Sequence, residues 1–66
     1  MKLLINGEEK NVGNVSTVAE LLKFLNLEKA FVAVEVNRQL VPKAQHLDFV
    51  LRDGDILEIV TLVGGG

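Results

Sequence analysis

The chain has no cysteine, no tyrosine and no tryptophan, and only one proline, one histidine and one methionine. Each shortage removes a class of function. Without cysteine there is no disulfide to staple the fold and no thiol to hold sulfur as a persulfide. One histidine and no cysteine leave no plausible zinc site. Without tyrosine or tryptophan, and with 7 basic residues scattered against 9 acidic ones, there is neither a stacking platform nor a basic strip to neutralise phosphates. Nucleic acid is therefore not an expected partner. No apolar run approaches the roughly 20 residues that a membrane helix needs, so no membrane partner is expected either. The opening "MKLLING" is interrupted at Asn6 and makes a poor signal sequence, which leaves a cytoplasmic location as the expectation.

What is present suits one small folded domain. The chain has 66 residues, of which 48% are hydrophobic. That supports a core with a thin stability margin. "MKLLIN" alternates, with Met1, Leu3 and Ile5 on one side and Lys2, Leu4 and Asn6 on the other. This is strand periodicity, and Asn6-Gly7 is a hairpin-turn pair. "EEKNV" reads as a polar second strand ending at Gly13-Asn14. In "STVAELLKFLNL", Thr17 and Glu20 predict a capping box in which each side chain bonds the other's free backbone N–H. Val18, Leu21, Leu22 and Leu25 then follow the spacing of one buried helical face, and Asn26 is the expected stop.

"FVAVEVN" predicts a third strand with Val32, Val34 and Val36 inward. "NRQ" is a turn, "LV" before Pro42 a short extended piece, and "DILEIVTLV" the last strand. "KAQHLDFVLR" carries no period and receives no assignment. The order β-β-α-β-(short β)-β predicts an α+β domain, with one helix packed across a mixed sheet and the first and last strands adjacent at its centre. That is the β-grasp, or ubiquitin-like, arrangement.

Few residues invite a chemical reading. Asp53-Gly54-Asp55 is expected to be turn chemistry, because a metal would need further ligands converging from elsewhere. His46 has no nucleophile to serve and is expected in a loop or on the surface. Glu35 and Glu58 mark solvent faces. If Glu58 faces out, Ile56, Val60 and Leu62 share its side while Leu57 and Ile59 face in. Leu4, Ala33, Val60 and Leu62 then form an apolar patch on the open face of the sheet, the expected docking surface for a partner. The chain finishes with Gly64, Gly65 and Gly66 directly after an apolar strand. A domain over residues 1–63 followed by a flexible glycine tail at 64–66 is the expected organisation. From Val63 to Gly66 a fully extended chain reaches about 13 Å. Without Cβ atoms, glycines fit a channel too narrow for side chains.

Three stretches carry a resemblance. "VAVEVNRQLVP", "LRDGDILEIV" and "LVGGG" resemble, in order, the strand-and-turn, the last strand and the tail of the ThiS family, the sulfur carriers of thiamin (thiazole) biosynthesis. With "STVAELLKFL" they cover most of the chain. The resemblance implies a carrier and co-substrate, not an enzyme. It implies that a ubiquitin-activating-type adenylyltransferase uses ATP to adenylate the carboxylate of Gly66, with Gly64 and Gly65 lying in the partner's active site. A cysteine-desulfurase persulfide then supplies sulfur, and the resulting thiocarboxylate donates it to thiazole synthase. No bound cofactor or metal is implied. Two alternatives share parts of the pattern. The molybdopterin synthase small subunit uses the same carrier chemistry, but usually has prolines before its glycines where this chain has Thr61-Leu62-Val63. The TGS regulatory domains resemble "VNRQLVP" and "LRDGDILEIVT", but are embedded in longer chains.

Overall fold

The structure, a computed structural model, describes residues 1–62. A hairpin of β1 (Lys2–Ile5) and β2 (Glu8–Asn11) leads into α1 (Val18–Phe24). Then come β3 (Val32–Val36), β4 (Gln39–Val41), a 3-10 turn (Lys43–Gln45) and β5 (Ile56–Thr61). The five strands form one sheet in the order β2-β1-β5-β3-β4. β1 runs parallel to β5, and the other neighbours are antiparallel. This is the β-grasp fold anticipated from the element order. The expected glycine tail, and the domain boundary before it, lie outside the described residues.

Two tight turns set the register. Asn6 and Gly7 both have positive φ, 51° and 82°, as the two-residue hairpin turn between β1 and β2 requires. Asn37 and Arg38, at φ 52° and 70°, make the same kind of turn between β3 and β4 without any glycine. Both asparagines also bond into the sheet. The Asn6 amide donates to the Ile59 carbonyl at 3.0 Å and its oxygen accepts from the Ile59 N–H at 2.8 Å. It thus extends the β1–β5 ladder by one side chain. The Asn37 oxygen accepts from the Ile56 N–H at 3.0 Å, and its amide donates to Asp55 at 3.0 Å.

The helix starts at Thr17, whose hydroxyl accepts from the Glu20 N–H at 3.2 Å. The return bond differs from the reciprocal capping box expected, because Glu20 accepts from the Ser16 N–H at 2.7 Å, one residue earlier. Residues 16–18 are held there by the 49–51 segment. Leu51 N–H donates to the Ser16 carbonyl and Val18 N–H to the Phe49 carbonyl. At the other end Asn26 is left-handed (φ 61°). Leu27 N–H bonds back to the Leu22 carbonyl and Asn26 N–H to Lys23, which is the Schellman pattern of helix termination.

Val18, Leu21 and Leu22 from α1 pack onto Leu3, Ile5, Val34, Val36, Leu57 and Ile59 from the sheet. The inward faces of β1, β3 and β5 are thus the ones their alternation predicts. Burial of each such side chain stabilises the fold by about 1.5–3 kcal/mol.

The stretch from Lys43 to Arg52, left unassigned from sequence, is a series of turns that closes the core. His46 lies inside it, at 8% exposure, and not on the surface as expected. Its Nε2 is 3.1 Å from the Val41 carbonyl, so the one polar atom pressed inward finds an acceptor. That bond is what permits an imidazole to be buried.

Candidate functional site

The period-2 rule decides which residues the sheet offers to a partner. In β5, Leu57 is fully buried and Ile59 nearly so, while Ile56 and Val60 are more than half exposed. The open face is therefore the one inferred from Glu58. Register then places neighbours on it. Leu4 of β1 lies beside Ile56, Ala33 of β3 lies opposite Val60, and Glu35 lies opposite Glu58. Leu40 of β4 is opposite Glu35 and exposed.

Leu4, Ala33 and Val60 thus share the open face, but they do not form the continuous patch expected: Leu4 neighbours Ile56, four positions along β5 from the Ala33–Val60 pair, with Glu58 between. Leu62, the fourth residue of the patch, is half exposed just beyond β5. Its N–H donates to the Phe31 carbonyl at 2.8 Å. With Phe31 and Leu47 it also borders a groove of about 670 Å³ that reaches Ala19 and Leu22 on the helix side. Leu62 therefore stands where the open face meets this groove. Two exposed apolar residues enlarge the patch beyond the four anticipated, Ile56 and Leu40. Alternation alone reveals Ile56. Leu40 is legible only once its three-residue strand is recognised.

The carboxylates of the Asp53-Gly54-Asp55 turn accept hydrogen bonds from nearby donors. Asp53 accepts from the Lys2 N–H at 2.7 Å. Asp55 accepts from the Arg52 N–H at 2.8 Å and from the Asn37 amide. Gly54 takes φ 88°, the left-handed conformation for which glycine is suited. These carboxylates are spent on backbone donors, as turn chemistry requires. Among the described residues there is no group of three or more His, Cys, Asp or Glu that would hold a metal. Nor is any helix among them long and apolar enough to cross a membrane. Gly64, Gly65 and Gly66 lie outside the described residues.

A mixed five-stranded sheet crossed by one helix, with exposed apolar residues on its open face, defines a ubiquitin-like β-grasp module. The profile of the ThiS family matches residues 3–66, and the chain belongs to that family. It is 32% identical to the Escherichia coli sulfur carrier protein ThiS over the whole of both chains. It is 37% identical to the Bacillus subtilis sulfur carrier protein ThiS over 65 residues, 97% of this chain and 98% of that one. The crystal structure of the thiamine biosynthesis protein ThiS from Geobacter metallireducens superposes with a TM-score of 0.82, at 32% identity and full coverage of both chains. A thiazole synthase of Paramagnetospirillum magneticum is 48% identical over all 66 residues, which span only 20% of that longer protein.

Proposed function

We propose that this chain is a sulfur carrier of thiamin biosynthesis, a co-substrate that is loaded with sulfur, unloaded and used again. The observation that carries this reading is the end-to-end similarity to two proteins named as sulfur carriers, within a family match that runs to Gly66. The absence of cysteine from the sequence directs the chemistry to a carboxylate rather than a thiol.

A carboxylate is a poor electrophile until one oxygen becomes a leaving group. In the proposed cycle an adenylyltransferase of the ubiquitin-activating type joins the Gly66 carboxylate to the α-phosphorus of ATP and releases pyrophosphate. The terminal sulfur of a persulfide, made by a cysteine desulfurase, attacks the acyl carbon and displaces AMP. A second thiol then cleaves the sulfur–sulfur bond and leaves a thiocarboxylate on Gly66. ATP is consumed by the partner, and this chain holds no cofactor. The thiocarboxylate next serves a thiazole synthase. Support for that recipient comes from two proteins named thiazole synthase, each containing a segment similar to this whole chain. All these partners act in the cytoplasm. Leu4, Ala33, Val60 and Leu62 dock the partners, and Gly64 and Gly65 thread the carboxylate into their active sites.

Reconstituted thiazole formation tests the reading. Removal of Gly66, or addition of one residue after it, is expected to stop sulfur delivery, because reactive geometry tolerates little displacement of the carboxylate. Gly65→Ala is expected to slow it. Normal thiazole formation by the shortened chain, or by the extended chain without trimming, contradicts the proposal.

A further inference from the structure

The open face carries a charge arrangement that the fold itself does not need. Glu35 and Glu58 are directly opposite each other on β3 and β5, the two strands in longest register. Like charges at directly opposed positions destabilise a sheet. Among the described residues no cation makes an ion pair with either carboxylate. Among the described residues the one ion pair within 4.0 Å joins Lys10 to Glu8, on β2. Arg38 lines the same shallow hollow as Glu35, Glu58, Asn37 and Ile56, yet it reaches neither carboxylate at that distance. Toward the other side of the face, the residue opposite Leu4 is Glu9, a further negative charge, with Lys2 on the adjoining strand.

The surroundings make the pair informative. Along β5, Glu58 stands between the exposed Ile56 and Val60, and across the sheet Glu35 stands between Glu58 and the exposed Leu40. A protein surface that covers the apolar residues must also cover both carboxylates. Burying two unpaired negative charges costs far more than that apolar contact returns, unless the partner supplies a cation.

We propose that the open face receives a thiazole synthase surface that places a basic side chain, arginine or lysine, between Glu35 and Glu58. This rests on the docking reading given above and adds the chemistry that selects the partner. The choice of thiazole synthase follows from the similar full-length segments within two such enzymes. A segment similar to this chain thus occurs within the same polypeptide as a protein of that name. The repulsion between the two glutamates in the free chain is then relieved only in the complex, so that charge matching contributes to partner choice.

The test measures binding of Glu35→Gln, Glu58→Gln, the double variant and Val60→Ser to the thiazole synthase and to the adenylyltransferase encoded in the same genome, by calorimetry at low and high salt. Melting temperatures of all four are recorded. Each glutamine variant is expected to melt no lower than the parent and to bind at least tenfold more weakly. The double variant is expected to lose most of the salt dependence. If Val60→Ser weakens binding while the glutamine variants bind like the parent, the basic side chain between the glutamates is wrong and docking through this face stands. If Val60→Ser binds like the parent, docking through this face is itself wrong, and this inference falls with it. If the glutamine variants lose affinity only for the adenylyltransferase, thiazole synthase is the wrong occupant.

Discussion

Arg38 sits at φ 70°, a conformation that costs a residue with a Cβ about 1–2 kcal/mol. Glycine removes that cost but gives back part of it through a freer unfolded chain. Arg38→Gly is therefore expected to stabilise the domain by about 0.5–1 kcal/mol, read as a higher denaturation midpoint at unchanged slope. Asn6 presents the opposite case. Its side chain satisfies both the N–H and the carbonyl of Ile59 while its backbone is left-handed. Asn6→Ala loses both bonds and keeps the awkward backbone, and is expected to destabilise by about 2–4 kcal/mol. Asn6→Gly loses the bonds but relieves the backbone, so it is expected to fall between the parent and Asn6→Ala in the same denaturation series. The sequence marks both positions as turns, through the Asn-Gly and Asn-Arg pairs. It does not show that each asparagine also bonds a backbone more than a dozen residues away, because that bond depends on which strands become neighbours.

At the scale of elements, the strands and the helix are legible because their periods are local. Alternation in "VAVEV" and "DILEIV" identifies the inward faces without any knowledge of the partner strand. The same rule gives a sharp contrast in β5. Leu57→Asp buries an unpaired charge in the core and is expected to unfold the domain. Val60→Asp places one on an exposed face and is expected to change stability by less than about 1 kcal/mol, measured by circular dichroism melting. Similar melting of the two variants contradicts the face assignment. The 43–52 stretch was not legible because its order comes from distant bonds. Leu51 N–H to the Ser16 carbonyl and Ala19 N–H to the His46 carbonyl tie it to the start of α1. His46 itself is buried through its bond to Val41, and nothing local announces that. Of the candidate site, the shared outward face of Leu4, Ala33 and Val60 could be read, but not that register sets Leu4 beside Ile56 and away from Val60. The position of Leu62 at the mouth of the helix-side groove could not, since it lies past the end of the regular strand.

For the molecule as a whole, a core shared between the helix and the inward sheet face leaves the other face available for partners. The residues that hold the fold and those proposed to carry sulfur are thus different residues. Removal of Gly66 is expected to leave the melting temperature of the domain unchanged, because glycine has no side chain to contribute to a core. The most direct test of the carrier reading is intact mass spectrometry of the purified chain after incubation with ATP, the adenylyltransferase and a persulfide sulfur source. The account predicts a mass gain equal to the exchange of one oxygen for one sulfur, located at Gly66 by fragmentation and absent when ATP is omitted. An unchanged mass with all components active, or sulfur found on any other residue, contradicts it.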